Sequence, residues 1–151
     1  MDNQSKIILI AGPTASGKSN FAVKLAKKID GEIINADSMQ VYSELRILTA
    51  RPTAADEARV PHRLYGILSA AEACSAGRWA DMANVAIDET QASGRLAVLV
   101  GGTGLYLRAL VEGLNDVPEI PEGVRREARD MQDRLGPEEF HAALAELDPA
   151  M

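Results

Sequence analysis

The sequence holds a single cysteine, Cys74, so neither an internal disulfide nor a thiolate metal cluster can form within one chain. The thiol is expected to serve as a small, half-buried packing residue. No apolar run approaches the length that spans a bilayer. The most apolar opening stretch is Ile7–Ala11, and it lacks the flanks of a signal peptide. A cytoplasmic chain without membrane contact, acting as a monomer, is the expectation. Nor is there a surplus of positive charge. The formal net charge of −6 excludes a surface that binds nucleic acid all over, because neutralising phosphates takes clustered Lys and Arg. A local patch stays open: Arg46, Arg51, Arg59, His62 and Arg63 share one stretch with few acids, whereas the segment after Pro118 mixes four arginines with nine carboxylates.

What is present is a globular composition, 46% hydrophobic and 25% charged over 151 residues, sufficient for one domain with a core. Lys6–Ala11 reads as a fully buried parallel strand ended by Gly12-Pro13. A helix follows with Phe21, Ala22, Leu25, Ala26 and Ile29 at helical spacing and Gly31 as its C′ residue. Glu32–Ala36 is a second strand, stopping at Asp37-Ser38. Arg51 to Pro61 reads as a connection holding about one helical turn, and Leu64–Leu68 as a weaker strand. Trp79, Met82, Ala83, Ala86 and Ile87 mark a helix face that Gly94 stops. Leu96–Val100 is another buried strand, running into Gly101-Gly102-Thr103-Gly104 and a helix over Leu105–Leu110. Pro118 and Pro121 then interrupt the α/β alternation, so residues 1–114 are expected to form a core and 115–151 the start of a helical subdomain. There, Val124, Ala128, Met131 and Leu135 share a helical face, Gly136-Pro137 ends it, and Glu138–Leu147 begins a further helix.

Gly12-Pro13-Thr14-Ala15-Ser16-Gly17-Lys18-Ser19 fits G-x-x-x-x-G-K-[ST] between a buried strand and a helix, the context that a phosphate loop requires. Its glycines let backbone N–H groups wrap a phosphate at a helix N-terminus, where the macrodipole adds attraction. Lys18 supplies positive charge, and the Ser19 hydroxyl is placed to ligate Mg²⁺. Thr14 and Ser16 are read either as hydroxyl contacts to phosphate or as small loop residues. Such a loop establishes diphosphate or triphosphate binding and leaves the chemistry open. A kinase or ATPase calls for a second core strand ending in a carboxylate. Leu96–Val100 ends without an acid, and Asp37 is the one carboxylate at the C-terminal end of a predicted core strand, where ligands of open α/β sheets bind.

Gly12–Ser19 as GPTASGKS, Asp37–Tyr42 as DSMQVY and Gly101–Tyr106 as GGTGLY resemble, in order and spacing, the motifs of the tRNA dimethylallyltransferases, also called tRNA isopentenyltransferases. Pro61-His62-Arg63-Leu64 and Ser75-Ala76-Gly77-Arg78-Trp79 resemble weaker signatures between them. Cys74 stands where the family commonly has tyrosine, and Arg63 and Trp79 replace a frequent histidine and phenylalanine; none of these is expected to touch the chemistry. The resemblance implies a P-loop NTPase-like α/β fold, a parallel sheet flanked by helices, with the beginning of a helical tRNA-binding insertion. The family's chain continues beyond Leu147-Asp148-Pro149, so an N-terminal fragment, itself inactive, is expected.

The reaction the resemblance implies moves a dimethylallyl group from dimethylallyl diphosphate to N6 of an adenine beside the anticodon of tRNA. The donor and the anticodon stem-loop are then the partners, and Mg²⁺ is the cofactor. Asp37 is the candidate general base, with a turn cap or a metal contact through water as its alternatives. The loop N–H groups, Lys18 and Mg²⁺ on Ser19 stabilise the departing diphosphate. Thr103 contacts diphosphate or the tRNA backbone, or caps the following helix. The adenine has to leave the anticodon-loop stack. By resemblance Asp37, Ser38, Met39 and Gln40 line its site, Tyr42 packs, and Arg125 contacts tRNA. A P-loop small-molecule or nucleotide kinase, and a non-catalytic nucleotide- or RNA-binding module, are the competing readings.

Overall fold

The structure is a computed structural model that describes residues 6–114 and 120–149. It divides into two compact units, Met1–Leu114 and Asn115–Met151. Of the proline-bearing stretch at the division, residues 115–119, Pro118 among them, lie outside the described residues.

The first unit runs β1 (Ile7–Ala11), α1 (Lys18–Ile29), β2 (Gly31–Asn35), α2 (Ala54–Glu57), β3 (His62–Arg63), α3 (Ala76–Ala92), β4 (Leu96–Gly101) and α4 (Gly104–Glu112). All strand pairs are parallel, in the order β1-β4-β2-β3. Side chains on a strand alternate between faces, and the core divides accordingly. Ile33, Val98 and Val100 meet Ala22, Val23 and Ala26 of α1. Their neighbours Ile34, Ala97 and Leu99 meet Trp79, Ala83 and Ile87 of α3, with Tyr106 and Ala109 of α4. The expected parallel sheet flanked by helices is therefore present.

Four expectations need correction. β1 is not fully buried: among the described residues it pairs only with β4, and Leu9 is 39% exposed. Phe21 is 58% exposed, because Ala22, Val23 and Ala26 turn the inward face of α1 by one position. Asp30, not Gly31, takes the left-handed C-cap (φ 51°, ψ 48°), a conformation that Asp tolerates, and Gly31 opens β2. The third strand is His62–Arg63, not Leu64–Leu68; Leu64 and Gly66 both have φ 61°, which breaks an extended run, and only Leu68 returns to bridge Tyr42.

In the second unit α5 (Glu122–Leu147) carries no buried residue and is interrupted at Gly136 (φ 76°, ψ 170°) before Pro137, where the sequence placed a stop. Among the described residues, no helix is long and apolar enough to cross a membrane.

β3 is anchored by charge. Glu32 is almost fully buried and accepts from Arg63 Nε at 3.0 Å and from the Thr90 hydroxyl at 2.9 Å, while Arg63 also pairs with Glu89. Both Glu32 oxygens are thus compensated, as a buried carboxylate requires. The C-terminal ends of β2 and β4 meet more tightly still. The Ala36 N–H donates to Val100 O at 2.8 Å, and a Cβ on Gly101 would stand 2.0 Å from the Ala36 carbonyl oxygen. No rotamer change relieves an overlap with backbone. Gly101→Ala is therefore expected to lower stability by about 3–5 kcal/mol, in the range of severe core defects, as read from chemical denaturation of this chain.

Candidate active site

The ends of β1, β2 and β4 lie side by side, and each delivers one functional segment. From β1 the chain enters the Gly12–Ser19 loop. Gly17 caps α1 with φ 85°, a left-handed conformation that glycine adopts without strain, and Lys18 and Ser19 open the helix. The loop is closed by Ser16 N donating to Pro13 O at 3.3 Å and Lys18 Nζ donating to the same carbonyl at 2.5 Å. Thr14, Ser16, Lys18 and Ser19 line a cavity of about 390 Å³ that Asp37 and Gln40 line as well. Asp37 is the sole acid lining it.

Asp37 is held by a residue to which the sequence drew no attention. Asn35, the last residue of β2, is fully buried; its side-chain oxygen accepts from Asp37 N at 2.9 Å, and its Nδ2 donates to the carbonyls of Asp37 (2.9 Å) and Leu64 (3.1 Å). The Asn35 backbone carbonyl accepts in turn from the Trp79 indole at 3.0 Å, and Trp79 stacks on Tyr106 with centroids 4.6 Å apart. Trp79 thus bonds the end of β2, two residues before Asp37, because an indole N–H offers a bond that phenylalanine lacks. The signal available beforehand was an amide following Ile33-Ile34 at the end of the strand.

Two roles considered for Asp37 coexist in its geometry. Oδ1 accepts from Met39 N at 2.9 Å and caps the turn, while Oδ2 has no hydrogen bond among the described residues. Thr103 stands at the N-cap position of α4, yet its side chain makes no cap bond. Its hydroxyl oxygen instead accepts from Ser38 N at 3.0 Å, tying the end of β4 to the turn after β2. Gln40 spends its amide N–H on Thr49 O at 2.8 Å, Met39 is half exposed, and Tyr42 packs against the core beside α3. Arg125 lies exposed on α5, in the second unit. Tyr65, unassigned from sequence, lines the loop cavity as well. Burial pushes its hydroxyl upward in pKa, with the charges of Asp37 and Glu57 adding, so it stays protonated at neutral pH.

Comparison with known proteins agrees with this geometry. The family model for IPP transferase matches residues 40–151. The tRNA dimethylallyltransferase of Rhodospirillum rubrum is 58% identical over 145 residues, which cover 96% of this chain and 44% of that protein. That of Parvibaculum lavamentivorans is 58% identical over 146 residues, 97% of this chain and 46% of the relative. The chain thus spans a little under half the length of these relatives. Among solved structures, the tRNA isopentenylpyrophosphate transferase of Bacillus halodurans superposes with a TM-score of 0.73 at 39% identity, over 97% of this chain and 49% of that one. A eukaryotic dimethylallyltransferase acting on tRNA gives 0.78 at 30% identity, over 95% and 36%.

Two substitutions test the scaffold. Asn35→Ala strands the Asp37 N–H and the Leu64 carbonyl, and is expected to cost about 2–4 kcal/mol of stability, the scale for buried groups left unpaired, measured by denaturant titration. Thr103→Val keeps the shape but removes the acceptor, so it should cost about 1 kcal/mol and speed hydrogen exchange at the Ser38 amide, whereas Thr103→Ser should leave that amide protected.

Proposed function

The chain belongs to the IPP transferase family, and from that premise we propose that it forms the donor-binding and catalytic part of an enzyme that transfers a dimethylallyl group from its diphosphate to N6 of an adenosine in tRNA. In this reading the adenosine lies beside the anticodon and the compartment is the cytoplasm, where tRNA is met. The observation that carries the proposal is a phosphate loop facing one carboxylate, Asp37, across a shared cavity, with no acid on the end of β4. A kinase uses such an acid for its metal; an alkyl transfer needs a base for the acceptor instead.

The transfer breaks the C1–O bond of the donor and forms a C1–N6 bond. The electron pair of the broken bond leaves with diphosphate, and one N6 proton goes to Asp37 through its free Oδ2. An aromatic amine is a weak nucleophile because its lone pair is delocalised, so loss of the proton as the bond forms is where a base contributes. Lys18 and the backbone N–H groups of the loop stabilise the charge growing on the leaving oxygen. The Ser19 hydroxyl, in the same cavity, is a hard oxygen donor of the kind Mg²⁺ takes singly alongside waters and phosphate oxygens. Among the described residues no cluster of His, Cys, Asp or Glu offers a metal a site of its own. Bound there, Mg²⁺ would neutralise diphosphate charge. Ser38, Met39 and Gln40 form the wall against which the adenine rests, and Arg125 supplies a tRNA contact from the second unit.

The test is single-turnover transfer from labelled dimethylallyl diphosphate to tRNA, in a protein extending this chain to the length of its relatives, followed by nucleoside analysis. N6-prenyladenosine is the expected product. Asp37→Asn should bind both substrates while losing about 10²–10⁴ in rate, and Lys18→Ala should weaken diphosphate binding strongly. Phosphoryl transfer from a nucleotide without any prenylated nucleoside would establish the kinase reading instead.

A further inference from the structure

The basic residues that the sequence groups between Arg46 and Arg63 are bonded within the protein. Arg46 donates to Pro52 O at 2.9 Å and stands 3.7 Å from Glu57, Arg51 donates to the carbonyls of Tyr42 and Ser43 at 3.2 and 3.3 Å, and Arg59 lies 3.7 Å from Asp56. His62 Nδ1 meets Val60 O at 2.8 Å, and Arg63 pairs with Glu32 and Glu89. What the segment offers to solvent is apolar instead: Ile47 is 94% exposed and Leu48, beside it, 82%. A single exposed aliphatic residue is ordinary, but here two stand together at the apex of a firmly built turn. Arg51 N donates to Arg46 O and Ala50 N to Ile47 O, both at 3.1 Å, while the N–H and the hydroxyl of Thr49 both donate to Leu45 O, at 3.0 and 2.7 Å. Ala50 holds a left-handed φ of 50°, which an alanine adopts only under constraint. The turn is also built onto the acceptor side of the site. Gln40 Nε2 donates to Thr49 O at 2.8 Å, and Thr49 and Ala50 line the loop cavity together with Asp37 and Gln40.

We propose that Ile47 and Leu48 form an apolar wedge that packs against the anticodon-loop base next to the target adenine and holds that adenine out of the stack. They are then positioning residues for the transfer. The inference rests on the reading of the protein as a tRNA-modifying transferase. An adenine that enters the cavity to meet Asp37 leaves its neighbour with a bare face, and the protein has to offset the cost of unstacking. In nucleic-acid complexes, aliphatic side chains inserted beside an unstacked base do this. They are effective only when held in place beforehand, because ordering a loose loop on binding costs entropy. The hydrogen bonds of the 46–51 turn and the Gln40–Thr49 bond supply that order. Leu48 adjoins Thr49, so a base packed on the apex lies beside the one resting on Ser38, Met39 and Gln40, and half-exposed Met39 continues the apolar surface. A phosphate contact is the other way for a turn to hold RNA, and it needs free cations. Within residues 45–52 the charged side chains are Arg46 and Arg51, and both donate to backbone carbonyls.

The test uses the protein extended to the length of its relatives and an anticodon stem-loop carrying 2-aminopurine at the target position. That base lacks the 6-amino group and so does not react, and its fluorescence rises when it leaves the stack. Binding to the wild type is expected to produce this rise. The double variant Ile47→Ala, Leu48→Ala should lose most of it and bind the stem-loop about tenfold more weakly, since fewer than two buried methylene equivalents already correspond to tenfold. Ile47→Leu with Leu48→Met, which keeps apolar bulk, should restore both. The dependence of affinity on salt should keep its slope, because no phosphate contact is removed. Melting temperature and affinity for inorganic diphosphate should stay at wild-type values, which a structural role for the pair would not allow. A full fluorescence rise in the double-alanine variant, a changed salt slope, or no rise with the bound wild type would each overturn the inference while leaving tRNA as the substrate. A lowered melting temperature would overturn it too, by showing the two side chains covered within the protein. If the wild type bound no stem-loop at all, the reading of the protein as a tRNA-modifying enzyme would fall as well.

Discussion

Main chain packed directly on main chain, at Gly101 against Ala36, is the constraint from which the site takes its shape. The overlap that a Cβ would create there, at 2.0 Å from a carbonyl oxygen, means that β2 and β4 approach at their C-terminal ends more closely than side chains allow. Gly102 continues the approach toward Gly12 O, 3.3 Å from its would-be Cβ. Three strand ends thereby converge within reach of one small ligand. The Thr103–Ser38 bond and the shared cavity of Lys18 and Asp37 both depend on that convergence.

Around this contact, buried polar groups determine where the functional side chains sit. Asn35 fixes the backbone of Asp37 and simultaneously reaches Leu64, so the turn bearing the proposed base and the loop bearing Tyr65 share one anchor. Holding both from a buried side chain is the support that lets a reactive group keep its geometry. Trp79 extends the anchor into the helical layer, and the Glu32–Arg63 pair secures the neighbouring edge. Arg63 and Trp79 are, with Cys74, positions where the sequence departs from the residues that the resemblance leads one to expect. Each makes a specific bond, and both bonds end on β2, so the departures act on the placement of that strand and leave the reacting groups alone.

Periodicity made most of the fold legible in advance. Strand β4 came from an uninterrupted apolar run, β2 from its Ile33-Ile34 pair between helix stop and turn, and α3 from a clear helical stripe, with boundaries within three residues of expectation. The misreadings have local causes. Phe21 looked like a core residue because its size outweighed the small residues that face the sheet, and Leu64–Leu68 looked like a strand because left-handed backbone at a leucine leaves no mark in composition. The place of the Gly12–Ser19 loop between β1 and α1 was readable because an apolar run, two glycines and a helical stripe succeed one another there. Asn35 and Tyr65 were not, since their roles arise from contacts between β2, the 64–66 turn and α1, segments distant in sequence. Thr103 was half readable: its place before a helix was plain, whereas the destination of its hydroxyl depended on how β2 and β4 meet.

The strand order has a consequence for how the protein comes into being. β4 lies between β1 and β2, with Ile7 opposite Ala97 and Gly31 opposite Leu96, so β1 and β2 are not joined in one sheet until the chain has been made past residue 101, β2 having only the two-residue β3 beside it before then. Such non-local pairing is slow, and a nascent β1 and β2 leave isoleucine-rich edges waiting in solvent during synthesis. The Gly12–Ser19 loop hangs between β1 and α1, and Asp37, the proposed base, follows β2. Insertion of β4 is thus the event that joins β1 to β2 and, in the same step, brings the Gly12–Ser19 loop and Asp37 to one cavity, so that cavity should form on the ribosome as a late and abrupt transition.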